Sequence, residues 1–244
     1  GRGIIILDDL TPIRELDPQV LQSEVAFLDS RPYVVRELGS EQSWTGDDEF
    51  EGPNPPEAAM ITYYLQKRHV FGDMYLEVYD QQGNKIKTIP GTKRKGVNRV
   101  AMDLRMPPPR VPSSVQLLGQ AFAGPLYPPG DYRVVMVKGE KTYEGNFTIL
   151  YDPDSPHSLA DREIRQETIM KAYRLLEEMA YIDKKMLSAR EQALQKTSSI
   201  TGHSSLKKEL IVFVGKLDDL RKDFLATRQG NITGERRLRE KVSD

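Results

Sequence analysis

Apolar and polar residues alternate with period two through the middle of the chain and recur with a period near 3.6 toward its end, so the sequence divides into a β-rich stretch and a helical one. The β signal lies in EAAMITYYLQ, DMYLEVYD, NKIKTIP, GVNRVAMDLR, GDYRVVMVK and KTYEGNFTILYD, short segments rich in β-branched and aromatic residues and separated by turn chemistry. In DMYLEVYD, Met74, Leu76 and Val78 alternate with Tyr75, Glu77 and Tyr79, which puts the first three on a core face. In DYRVVMVK, Tyr132, Val134 and Met136 alternate with Arg133, Val135 and Val137, so the opposite face is partly covered as well. Gly83 in DQQGN and Gly139 in KGEK supply the positive φ of tight turns, making the flanking strands antiparallel neighbours. Strands at this spacing, with no helix between them, predict an antiparallel β-sandwich of the immunoglobulin or fibronectin III type over residues 53–152.

The rhythm changes after Pro156. Ser158 and Asp161 in SLAD form a capping-box signature, and a helix is expected to run from there to about Lys196. Its apolar seam is Ala172, Leu175, Met179, Ile182, Met186, Ala189 and Ala193, with Ile169, Tyr173, Leu176, Ala180, Leu187 and Leu194 as an adjoining stripe. After the break at TSSITGHSS, Leu206, Leu210, Phe213, Leu217, Leu220 and Phe224 alternate spacings of four and three, as an antiparallel partner helix requires. A third segment with Leu238 and Val242 begins a further helical pattern. Residues 157–244 are therefore expected to be a helical hairpin with a shortened third helix, or a small bundle, and the fold class is β plus α in two domains.

Ahead of the sandwich, Ile4 to Leu7 form a short apolar run that reads as a buried strand, a sign that the chain is a fragment beginning inside another fold. Thr11 before Pro12 and Asp17 before Pro18 signal capped helical turns, and VAFLDSRPYVVR follows as a further strand-like piece. Residues 1–36 thus form a separate leading segment. Residues 37–52 read as an acidic linker: ELGSEQSWTGDDEFE holds six acidic side chains and no basic one. Between the fourth and fifth predicted strands of the sandwich lies RMPPPRVPSSVQLLGQAFAGPLYPPG, whose prolines cannot donate to a ladder and so belong in a loop. Its apolar residues, among them Leu117, Phe122 and Tyr127, require something to pack on, which makes 105–129 the candidate interaction face.

Composition narrows the chemistry more than it identifies it. In 244 residues there is no cysteine, which removes disulfides, thiol catalysis and thiolate metal sites. No window approaches the ~18 apolar residues of a membrane span, so none is expected. Net charge is −1, which supplies no general attraction to nucleic acid. The basic cluster Lys85, Lys87, Lys93, Arg94, Lys95, Arg99 and Arg105 lacks interleaved aromatics for stacking on bases and reads as a charged hairpin edge. His69, His157 and His203 have no metal-ligand spacing, and the acidic run with Asp47, Asp48, Glu49 and Glu51 lacks the order of a calcium loop. No nucleophile elbow, phosphate loop or metalloprotease motif occurs, so no catalytic residue, metal or cofactor is expected. The abundant aromatics leave one alternative, a sugar-stacking platform, for which Trp44, Tyr79, Phe122 and Tyr127 are the candidate ligand or partner contacts.

Several stretches together resemble one family. GRGIIILDDLTPIREL is similar to the GRxIWxLDDLTPLRxL stretch that closes the propeller of bacterial BNR-repeat, sortilin-like β-propeller proteins of the Bacteroidetes type, often described as BNR-repeat glycosyl hydrolases. GPNPPEAAMITYYLQ resembles the GxNPPxGAxIxYYLK opening of the Ig-like domain after that propeller. GVNRVAMDLR, PPGDYRVVMVKGEKTYEGNFTILYDP and ITGERRLREKV resemble its later strands and helical tail, with Met102 and Ile5 in place of tryptophans and Glu57 in place of an aromatic. The resemblance implies that residues 1–36 are the remnant of the last propeller strands and that Pro53, Pro55 and Pro56 set the angle of the sandwich. It also implies an exported, periplasmic or cell-surface protein whose hydrolase or recognition face lies on the propeller. The expected role is a non-catalytic structural and interaction module that braces its own N-terminal propeller and offers a protein-binding surface. The alternative is a carbohydrate-binding accessory domain of a glycoside hydrolase.

Overall fold

The computed structural model of the chain describes residues 9–36, 58–115, 123–228 and 235–243. It divides into two units, Gly1–Leu104 with Tyr127–Pro156, and Arg105–Leu126 with His157–Asp244. The first carries two β-sheets and the second is helical, so the protein is mixed β and α. Ile4 to Leu7, the acidic run and Pro53, Pro55 and Pro56 lie outside the described residues.

The first unit opens with two short helical turns, α1 (Thr11–Arg14) and α2 (Pro18–Gln22), and eight strands follow. These are β1 (Val25–Leu28), β2 (Tyr33–Val35), β3 (Ala58–Leu65), β4 (Met74–Tyr79), β5 (Lys85–Pro90), β6 (Gly96–Asp103), β7 (Gly130–Lys138) and β8 (Lys141–Tyr151). Asp17 caps α2 by accepting from the Val20 amide at 2.7 Å, with Pro18 at the first helical position. At α1 the expected cap, Thr11, is already inside the helix, and the Asp9 carboxylate accepts from its amide instead.

Strands β1, β3 and β6 form a three-stranded sheet in the order β1-β3-β6, and the others a five-stranded sheet in the order β2-β8-β7-β4-β5. Pairings are antiparallel except that of β2 with β8, which is parallel. Alternation in β4 is as expected: Met74, Leu76 and Val78 are buried and the residues between them half-buried. Tyr132, Val134 and Met136 of β7 face the same core, and Val135 is buried on the opposite face. Strand β3 is buried on both faces. Ile61, Tyr63 and Leu65 are at most 1 % exposed, while Thr62 and Tyr64 on the other face bond to Ser30 and to the Leu21 carbonyl.

The expected lower boundary of the sandwich, residue 53, thus falls inside this unit. VAFLDSRPYVVR supplies a strand to each sheet, β1 beside β3 and β2 beside β8. The physical reason is the ladder: β3 and β8 would otherwise leave rows of amides and carbonyls unpaired. A composition break at the acidic run is no barrier to such pairing, because loop closure costs grow only slowly with length.

The second unit holds α3 (Leu159–Ser199), α4 (Ser204–Phe224) and α5 (Leu238–Ser243). The capping box is present as read: the Ser158 hydroxyl accepts from the Asp161 amide at 3.2 Å and the Asp161 carboxylate accepts from the Ser158 amide at 3.2 Å. The buried residues of α3 are Met179, Met186 and Ala193 of the expected seam, Leu176 of the adjoining stripe and Asp183, while Leu175 and Ile182 of the expected seam are exposed. On α4 the half of the expected seam formed by Leu210, Leu217 and Phe224 is half-buried beside the buried Val214, while Leu206, Phe213 and Leu220 are exposed.

The outward place of Leu175 and Ile182, beside the inward Leu176 and Asp183, goes with two ion pairs that apolar periodicity does not register. Arg221 Nε donates to Asp183 Oδ1 at 2.6 Å, and Arg190 Nε to Asp218 Oδ1 at 2.7 Å. Asp183 is 4 % exposed, so its charge is held inside the helix contact by its partner. Because 183 matches 221 and 190 matches 218, residue numbers rise along α3 as they fall along α4.

Candidate functional site

The residues singled out from sequence do not form one site. Trp44 and Phe122 lie outside the described residues. Tyr127 is 6 % exposed; its ring meets Tyr132 edge-on at 6.4 Å, its amide donates to the Leu104 carbonyl and its hydroxyl to the Ile86 carbonyl. Such a ring fills the core and offers no face to a ligand.

Tyr79 lies on the outer side of the five-stranded sheet, where alternation puts it with Tyr75 and Glu77. Its cross-strand partner on β7 is Arg133, whose guanidinium carbon is 4.4 Å from the ring centroid, a cation–π contact. The Tyr79 hydroxyl donates to Glu77 Oε2 at 2.7 Å, Lys85 Nζ donates to Glu77 Oε1 at 3.0 Å, and Arg133 pairs with Glu144 at 2.9 Å. The hydroxyl's bond to Glu77 pushes the Tyr79 pKa up, and the same bond together with Lys85 holds the Glu77 carboxyl below its ordinary range. Stacking a sugar here would leave one ring face, since the other is taken by Arg133. The nearest aromatic on this face along the strand is Tyr75, half-buried and about 13 Å away by strand rise.

The expected basic edge is real as an edge. β5 is the last strand of its sheet and carries Lys85 and Lys87, the second paired with Asp103 at 3.3 Å. Of the histidines, His157 and His203 are exposed and His69 is half-buried, with its Nε2 3.3 Å from the Gly72 carbonyl. Among the described residues no three His, Cys, Asp or Glu side chains gather as a metal site would need. No helix is long and apolar enough to cross a membrane, among those described.

The proline-rich segment belongs to the helical unit from Arg105 to Leu126. Its described part is held by that unit's own helices. The Glu177 carboxylate of α3 accepts from both the Arg110 amide and its guanidinium, with Arg110 Nε at 2.7 Å, and this pairing pulls the Glu177 pKa down. Ser114 donates to the Ala226 carbonyl at 3.1 Å, and the buried Arg239 of α5 donates to the Pro112 carbonyl at 2.8 Å. Gln166 of α3 donates to the Leu126 carbonyl at 3.3 Å. The described part of the segment is thus tied to its own unit by hydrogen bonds, while Val111 and Val115 are exposed.

Exposed apolar side chains occur on both long helices, Leu175, Tyr181 and Ile182 among them on α3 and five on α4. Leu206, Phe213 and Leu220 are 46 %, 44 % and 46 % exposed, and Ile211 and Val212 are each 57 % exposed. Leu206, Phe213 and Leu220 widen the apolar stripe of α4 beyond the part that meets α3, and a stripe of that width ordinarily has a further neighbour. The periodicity that read these residues as core was sound about their chemistry. It could not separate a stripe facing α3 from one facing outward, because both satisfy the same spacing.

No protein-family model, no curated protein and no solved structure matches this chain.

Proposed function

We propose that the chain is a non-catalytic structural and protein-interaction module, an immunoglobulin-like sandwich joined to an antiparallel helical hairpin with a short third helix. Strand order supports the sandwich reading. β1, β3 and β6 correspond to strands A, B and E of that fold, and β2, β8, β7, β4 and β5 to A′, G, F, C and C′. The Tyr132 hydroxyl near the start of β7 donates to the Pro128 carbonyl four residues upstream, the arrangement of a tyrosine corner. The two opposed ion pairs between α3 and α4 support the hairpin.

The observation that carries the interaction reading is the exposed apolar stripe of α4, Leu206, Phe213 and Leu220. From the resemblance of its motifs, the module is placed after a BNR-repeat, sortilin-like propeller, which it braces, in an exported protein of the periplasm or cell surface. Any hydrolytic chemistry belongs to the propeller.

A photo-crosslinking residue placed at 213 in the producing cell tests this, with mass spectrometry of the adducts. Protein adducts are expected at 213 and not at the exposed polar position Lys67. The purified chain is expected to hydrolyse no glycoside and to bind no glycan on an array. Glycan binding abolished by Trp44→Ala or Tyr79→Ala would replace this reading with the carbohydrate-binding accessory domain.

A further inference from the structure

Resting on the interaction reading, we infer that the partner of α4 is a second copy of the same helix, packed antiparallel about a two-fold axis at Phe213. Leu206, Phe213 and Leu220 recur every seven residues, which at 3.6 residues per turn holds them on one stripe along the helix. The spacing is symmetric about Phe213. In an antiparallel pair centred there, Leu206 of each helix meets Leu220 of the other and the two Phe213 rings meet at the axis. That is the isologous, self-complementary contact a two-fold dimer needs.

Charge selects this orientation over the parallel one. Glu209 and Lys216 flank the stripe on its outer side, four residues before and three residues after Phe213. Antiparallel pairing sets Glu209 of one helix opposite Lys216 of the other, twice per dimer. Parallel pairing in register puts these flanks on opposite sides of the seam, so neither charge meets its counterpart. Lys216 makes no ion pair among the described residues, and Glu209 accepts only from the Ser205 hydroxyl at 3.3 Å, so both remain available to a partner. Of the other charges of α4, Asp218 pairs with Arg190, Arg221 with Asp183 and Lys222 with Asp219, while Lys207, Lys208 and Asp223 lie off the Phe213 stripe. The stripe through Phe213 is thus flanked by opposite charges in the positions that antiparallel self-pairing requires.

Sedimentation equilibrium of the full chain over a concentration series up to about 100 µM is expected to give a monomer–dimer equilibrium, within the range where weak specific dimers populate. Phe213→Glu is expected to leave a monomer with unchanged helical circular dichroism. Lys216→Glu sets like charges in opposition and is expected to raise the dissociation constant at least about tenfold. The swap Glu209→Lys with Lys216→Glu is expected to restore it to within about threefold of the natural protein. Because the chain has no cysteine, single Glu209→Cys and Lys216→Cys variants report register: disulfide dimers are expected mainly when the two are mixed.

A monomer at every concentration overturns the inference, as does a dimer insensitive to Lys216→Glu or one not restored by the swap. If the chain stays monomeric while position 213 still crosslinks a different protein, the interaction reading survives and the self-pairing does not. If it is monomeric and 213 crosslinks no protein, both fail.

Discussion

Gly145 sits where β8 passes beneath Phe27. A Cβ added there would fall 2.3 Å from Phe27 Cγ and 2.7 Å from its Cβ, atoms too near the backbone to swing aside. Gly145→Ala is therefore expected to destabilise the two-sheet unit by about 1–3 kcal/mol, the usual cost of overpacking. Urea unfolding checks this, and the loss is expected to shrink in a Phe27→Leu background. Glu24 offers a second test. It accepts from Lys138 Nζ and Lys141 Nζ, both at 2.6 Å, tying the residue before β1 to the β7–β8 turn. Those two lysines, followed by Tyr143, pull the Glu24 pKa from 4.5 down to about 2. A depressed carboxylate pKa stabilises the fold above the unfolded value and stops doing so as the group protonates in the fold. The contribution is thus complete above about pH 5 and is lost as pH falls from 4.5 toward about 2. The stability difference between the natural protein and Glu24→Gln is expected to close over that window in urea melts taken at stepped pH.

At the scale of the element, the contact between α3 and α4 combines apolar residues with charge. Removing one member of a buried pair leaves the other uncompensated, so Asp183→Ala is expected to destabilise the helical unit by about 3–5 kcal/mol. Replacing both members, Asp183→Leu with Arg221→Met, removes the desolvation cost along with the attraction and is expected to be neutral or stabilising. Thermal melts followed at the helical circular-dichroism band distinguish the two results. A mixed outcome, with the double variant as unstable as the single, would show that the pair's geometry rather than its charge balance sets the helix register. The cap at the start of α3 is a smaller and separate contribution. Ser158→Ala removes the acceptor for the Asp161 amide and is expected to cost about 1 kcal/mol in the same melts.

Across the whole molecule, the chain leaves the two-sheet unit after Leu104, contributes Arg105–Leu126 to the helical unit, and returns at Tyr127. Within the helical unit the excursion is anchored mainly at Glu177, Ala226 and Arg239. Glu177→Ala frees the Arg110 amide and guanidinium together. Trypsin cleavage after Arg105 and Arg110 is then expected to accelerate several-fold while helix content stays unchanged, because proteolysis follows local opening. Unaltered cleavage would mean that Ser114 and Arg239 hold the segment without Glu177.

The six strands of the central stretch, the turns at Gly83 and Gly139 and the capping box at Ser158 were legible because each depends on neighbours within a few residues. The strand character of VAFLDSRPYVVR was legible too, but its partners were not: pairing β1 with β3 and β2 with β8 joins residues far apart in sequence across a run of different composition. Of the ligand-contact candidates, Tyr79 kept an outward place, while Tyr127 went to the core because its backbone bond to Leu104, ahead of β7, brings its ring against Tyr132. Nothing in its local sequence carries that contact. The apolar period of α4 determined that the helix would be amphipathic or better, and it left open which stripe faces α3. Asp183 and Arg221 decided that, since a buried charge must lie where its counter-charge can reach it. Short-range order was thus set by the sequence alone. Partner choice between distant segments, and with it which apolar surface is left outward, came only with the tertiary structure, where ladders and charges must be satisfied all at once.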